Sequence, residues 1–252
     1  VDVSRLDLEV DTSVPQRPEV RVLIGGDELL RTDGEERNGP AGLLDNGALV
    51  PQDPPRRIAL YGCGCGEFGC FVVAPLVERD GALVVWRDFR TVTGEYHDAL
   101  PSPDSGPDPV QVDDVSSHAL PVPDLVFDAE QYDAEVARAS ADRSWETREH
   151  AVRRMSGGRL DGWALLWPVR EGVVAMSRDF HGATVELGLP DGEPTDLVAA
   201  LAGVLRTPEV EAMLAATRWT PETGRRGHER RVEGASRVLT RLWADAAVHR
   251  HV

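Results

Sequence analysis

The stretch from Arg56 to Arg90 constrains the fold most, because it holds three apolar runs separated only by glycine-containing turns. RRIALYGCGC, CFVVAPLVE and ALVVWRDFR are rich in β-branched and aromatic side chains, which suit a pleated, half-buried surface. Asp80-Gly81 marks a tight hairpin between the second and third runs, since glycine takes the positive φ that the favoured two-residue turns require. The pattern predicts a three-stranded antiparallel meander. Val84 and Trp86 fall on one side of its last strand and Leu83, Val85 and Phe89 on the other, so each face needs a cover.

Residues 4–11 and 19–24 alternate apolar and polar, as half-buried strands do. Residues 31–55 are turn-rich and predict a long surface loop anchored by Leu43-Leu44. Residues 97–126 hold six prolines, six aspartates and no arginine, which predicts a mobile loop or linker and a boundary between two halves. Beyond it Asp128 caps a helix with Gln131 three residues on, and Phe127 staples to Tyr132. A second helix is expected from Ser144 to Gly157-Gly158. Strands over 160–169, 172–177 and 183–189 follow. Helices carrying Leu197, Ala200, Leu201, Val204 and Leu205, and then Val232, Ala235, Leu239, Leu242 and Ala246, close the chain. Thr207-Pro208 and Thr220-Pro221 each read as a cap followed by proline in the first turn. The predicted class is α+β: an antiparallel meander in the N-terminal half, helices, a second small antiparallel sheet and C-terminal helices. Two modules are expected, a β-rich one over 1–126 and a helix-sheet-helix one over 127–252, packed as one compact unit.

All 27 basic residues are arginine. The absence of lysine excludes Schiff-base and P-loop lysine chemistry. The net charge of −16 repels a phosphate backbone, leaving the arginine-rich last helix as the one segment suited to nucleic acid. No apolar run approaches the ~18 residues that span a bilayer, and no basic-then-apolar leader precedes the first strand. The expectation is a cytoplasmic chain without a membrane partner.

Every cysteine lies in Cys63-Gly64-Cys65-Gly66-Glu67-Phe68-Gly69-Cys70. On an extended strand Cys63 and Cys65 project to one face, and the turn that follows brings Cys70 back toward them. Cys63, Cys65 and Cys70 are therefore the candidate metal ligands, with zinc the expected metal. Tetrahedral zinc needs a fourth ligand, for which His97, His118 and Glu67 are candidates that no spacing separates. A strained CxC disulfide and three reduced thiols packed in a glycine-rich hairpin stay open beside the zinc reading.

The run CGCGEFGC, then VVWRDFR, FDAEQYDAEVARA and DRSWET, resembles an uncharacterised family of hypothetical proteins from actinobacteria. The resemblance covers residues 56–155. It implies a cytoplasmic bacterial protein and carries no activity with it.

No HExxH, HxH or G-x-S-x-G motif occurs, and neither Gly25-Gly26 nor Gly157-Gly158 extends to a phosphate-cradling loop. Trp86, Asp88, Phe89 and Arg90 are weighed as a ligand groove against a strand packed on a helix, and packing is preferred. The reading favours a non-catalytic binding protein without an organic cofactor. Its acidic surface suits a basic protein partner, as in an immunity or antitoxin-like role. The competing class is an enzyme using the thiol cluster, through zinc-bound water or a thiolate nucleophile.

Overall fold

The computed structural model describes residues 2–30, 35–63, 70–96, 98–111, 115–160, 163–178 and 184–210, together with Ala212, Leu239 and Arg241. The chain divides into two units, residues 1–145 and 146–252. The class is α+β, with antiparallel sheets and helices in the expected order.

The first unit opens with β1 (Leu6–Asp11) paired antiparallel to β2 (Glu19–Ile24), from Leu6↔Ile24 to Asp11↔Glu19, and β3 (Asp27–Glu28) adds to β2. The alternation read from sequence becomes burial of Leu6, Leu8, Val20 and Val22. Within the turn-rich loop lie a short strand, β4 (Glu35–Arg37), and one helical turn, α1 (Pro40–Leu43), whose Leu43 and Leu44 form the predicted anchor.

The meander is built from β5 (Arg56–Arg57), β6 (Tyr61–Cys63), β7 (Val72–Asp80) and β8 (Leu83–Val92). Gly81, at φ 59°, turns β7 into β8 through the expected two-residue loop. The first predicted strand is split, because β5 and β6 both pair with β7 but in registers one residue apart, on either side of Pro75. A proline has no N–H to offer a ladder. On the other side of Pro75, Asp88 and Phe89 of β8 face this single residue, between the pairs Ala74↔Arg90 and Leu76↔Arg87. Asp88 takes φ 47°, the left-handed conformation of a bulge's first residue. This bulge overturns the predicted side for Phe89. The extra residue inverts the alternation, so Phe89 joins Val84 and Trp86 in the main core instead of facing away with Leu83 and Val85.

After β8 the chain makes two 3-10 turns, Pro103–Ser105 and Pro109–Gln111, then β9 (Ser117–Ala119) and β10 (Leu125–Asp128). The sheet order is β10-β8-β7-β6-β4, with β5 also on β7 and β9 also on β8. The proline- and aspartate-rich segment is therefore built into the sheet and is not a linker between modules. Both faces of the meander are covered. On one face Trp86 meets Phe127 and Tyr132 edge-on, at centroid separations of 5.3 and 6.1 Å, and Phe127 and Tyr132 lie tilted to each other at 5.5 Å. On the other, Ala59, Val72, Ala74, Val92 and Tyr96 pack with Val110 and Val115 of that segment.

The second face is held by Arg57, whose side chain is fully buried. Its guanidinium donates to Asp108 Oδ1 (2.7 Å), Asp88 Oδ2 (2.7 Å), Ala74 O (2.9 Å) and Asp88 O (2.6 Å). Its own amide donates to Pro107 O at 2.8 Å, and its carbonyl accepts from the Tyr96 hydroxyl at 3.3 Å.

Helix α2 (Ala129–Ala141) closes the first unit, with the Asp128 side chain accepting from the Gln131 amide as predicted. The predicted boundary at 126 moves to 145, because Tyr132, Val136 and Ala139 belong to the core of the first unit. A neighbouring stripe of the same helix serves β1. Gln131 accepts from Leu6 N (3.2 Å) and donates to Leu6 O (2.7 Å), Glu135 accepts from Leu8 N (2.7 Å), and Arg138 donates to Leu8 O (2.6 Å). Side chains thus stand in for a neighbour strand at Leu6 and Leu8 and blunt this edge.

In the second unit, α3 (Arg148–Met155) starts from Thr147 and not from Ser144, whose amide is taken by the Asp142 side chain at 2.9 Å. Gly157 and Gly158, at φ 66° and 70°, end it. The strands β11 (Arg159–Leu160), β12 (Trp163–Arg170), β13 (Val173–Arg178) and β14 (Thr184–Gly188) form one antiparallel sheet in that order. Helix α4 (Pro194–Leu205) buries the five predicted residues of its apolar stripe, Leu197, Ala200, Leu201, Val204 and Leu205. The predicted helix from Thr220-Pro221 onward lies outside the described residues, apart from Leu239 and Arg241. Among the described residues no helix is long and apolar enough to cross a membrane.

Replacing Arg57 by leucine leaves Asp108 and two carbonyls without their buried donor. Breaking such a pair costs about 3–5 kcal/mol, expected as faster hydrogen exchange in β7 and β8 than in β13. Burial works to raise the Asp88 carboxyl, but Arg90 and Arg57 outweigh it and hold it below the usual carboxylate range. A carboxyl lowered on folding stabilises the fold above its unfolded pKa, and that contribution is lost as pH falls. The first unit should therefore weaken as pH drops below about 4. Asp88→Asn, followed by acid-induced unfolding, should flatten that part of the profile.

Candidate functional site

The first unit contains 28 acidic residues and 12 arginines, which accounts for the entire net charge of −16, while the second unit balances to zero. Most of those arginines are matched internally. Arg5, Arg21, Arg37, Arg87 and Arg90 pair with Asp7, Glu9, Glu19, Glu78 and Asp88 at 2.7–3.1 Å, and Arg57 takes Asp108 into the core. Burial works to raise Glu135, yet Arg138 and the Leu8 amide hold it below its ordinary value. With the cations engaged, surplus carboxylates face water. Asp2, Asp27, Asp53, Asp80, Asp104, Asp124 and Glu130 are all exposed. Asp104, in the first 3-10 turn, and Asp124, just before β10, belong to the segment that the sequence marks as acidic.

A recess of about 520 Å³ opens along the outer side of α2 in this unit. Leu44, Val50, Val136 and Ala137 supply its apolar surface, and Asp45, Arg79, Asp133 and Ser140 its polar rim. The loop that follows α1 is fastened to α2 around the recess. The Tyr132 hydroxyl donates to Leu49 O at 2.7 Å, Ser140 Oγ to Leu44 O at 3.4 Å, and Arg143 pairs with Asp45 at 2.5 Å. Arg79 and Asp133 pair across the rim at 2.6 Å, both side chains partly exposed. Arg56 differs from its neighbours. It donates to Gly47 O at 3.2 Å, while its Nε is buried with no hydrogen-bond partner among the described residues. Sequence reasoning did not reach this recess. The helical stripe of α2 was legible, but nothing local says that residues 44–50 stand beside it.

Of the cysteine cluster, Cys63 is half-buried at the end of β6 and Cys70 is exposed just before β7. The register Tyr61↔Val73 and Gly62↔Val72 continues to Cys63 opposite Phe71, so Cys63 and Cys70 stand at the same end of the β6–β7 pair. Cys65 and Glu67 lie outside the described residues, as does His97. His118 is exposed on β9, which pairs with β8 at the end where Thr91 faces it. Among the described residues no three His, Cys, Asp or Glu side chains gather as a metal site. Trp86 and Phe89 are core residues, and the Trp86 Nε1 donates to the Tyr132 hydroxyl at 3.2 Å. The preferred packing reading of WRDFR therefore holds.

No protein-family model, curated protein or solved structure matches this chain.

Proposed function

We propose that this chain is a non-catalytic binding protein of the bacterial cytoplasm, whose acidic first unit recognises a basic protein partner. The observation that carries the reading is the confinement of the net charge of −16 to residues 1–145, where the arginines are largely taken up in internal ion pairs. Such a field raises the rate of encounter with a basic surface and disfavours acidic competitors. Deleting residues 97–126 would remove Asp108, β9 and the first half of β10, and so unfold the unit. The informative variants are Asp104→Asn and Asp124→Asn, at exposed positions. Affinity capture with the whole chain should retain basic proteins at low salt and release them as the screening length falls from ~10 Å at 0.1 M to ~3 Å at 1 M. The paired variant should retain less. Retention indifferent to salt and to both substitutions would sink the reading.

A second reading follows from the placement of Cys63 and Cys70 at one end of the β6–β7 pair. With Cys65 they would supply three thiolates to a zinc ion that staples the hairpin, or, if a coordination position stays open, to zinc-bound water. Elemental mass spectrometry on the purified protein should then find about one zinc per chain. The thiols should react with an alkylating reagent only after chelation. Metal-free protein whose three thiols all titrate at once would remove both the zinc staple and the zinc enzyme.

A further inference from the structure

We infer that the recess beside α2 is the docking groove for the basic partner, taking an apolar side chain into the groove with arginine or lysine side chains against its rim. The inference rests on the acidic-surface reading above and adds a place and a chemistry to it. Three consecutive stripes of α2, each spaced i, i+4, i+7, have different neighbours. Gln131, Glu135 and Arg138 bind the β1 edge, and Tyr132, Val136 and Ala139 fill the core. Asp133, Ala137 and Ser140 line the recess. The third stripe thus faces an open groove whose volume of about 520 Å³ lies within the range of ligand pockets. Its apolar parts include Val50, 46% exposed, and Ala137, also exposed. Such surface gains by being covered.

Charge selects the occupant. Asp133 is held by Arg79 at 2.6 Å, but with side chains 53% and 40% exposed the pair is of the kind worth ~0–1 kcal/mol, so one guanidinium exchanges for another at little cost. Glu130, one turn earlier on α2, is exposed, and the unit around the recess is strongly acidic. An amphipathic segment with apolar anchors at helical spacing and basic flanks matches both features.

The test uses the whole chain and three labelled peptides. One has leucines at i, i+4 and i+7 with arginines between, one has serine for each leucine, and one has glutamate for each arginine. Anisotropy should show the leucine–arginine peptide binding about tenfold or more tightly than the serine version. Amide shifts should move at Gly47, Ala137 and Ser140. Ala137→Trp, at an exposed helical position, should fill the groove and weaken binding by a similar factor, and Asp133→Arg should weaken it by reversing the rim charge. If the serine–arginine peptide binds equally well, or Ala137→Trp binds unchanged, the groove is overturned while the acidic-surface reading stands. If neither arginine peptide binds better than the glutamate one, both fall.

Discussion

A guanidinium in the interior of a sheet loses its hydration and must recover that energy from fixed acceptors, and Arg57 organises the first unit by this requirement. One acceptor, Asp108, comes from far along the chain and draws the proline-rich segment over the second face of the meander. Another, Asp88, presents both its carboxylate and its carbonyl because it sits in a bulge at positive φ. The bulge faces Pro75, and it turns Phe89 into the main core. Ladder, loop and core composition on both sides of the sheet therefore trace to one buried cation and one residue without an N–H.

Helix α2 shows how a single element serves several surfaces. Its period of ~3.6 residues puts every i, i+4, i+7 set on a separate stripe. The core stripe is apolar, as burial demands. The stripe against β1 is Gln, Glu and Arg, side chains long enough to reach backbone groups and polar enough to replace a neighbouring strand. The third stripe is short and mixed, which leaves space between the helix and the loop at 44–50. The same division appears in the charges, with most of the first unit's arginines engaged in ion pairs within it and surplus carboxylates directed to water.

Much of this was legible in the sequence because it is local. The β1 and β2 alternation, the Asp80-Gly81 turn, the Asp128 cap with Gln131, the glycine stop at 157–158 and the α4 stripe each follow from neighbours within a turn or a hairpin. Failures occurred where a distant partner, or a competing local one, decides. The segment 97–126 has the composition of a linker, but its aspartate answers an arginine fifty-one residues away. Ser144 is a good cap by type, yet Asp142 claims its amide and the helix waits for Thr147.

By itself the sequence determined the α+β class, most of the strands and helices, the lack of lysine chemistry and the acidic character of the chain. Those depend on composition and on short-range periodicity, which every residue carries with it. Only the tertiary structure decided that the charge belongs to one unit, that Arg57 is buried, and that α2 faces a groove. Each of these is a relation between segments brought together by the exclusion of water. Such relations depend on which acceptor reaches a donor first in space, and spacing along the chain does not encode that.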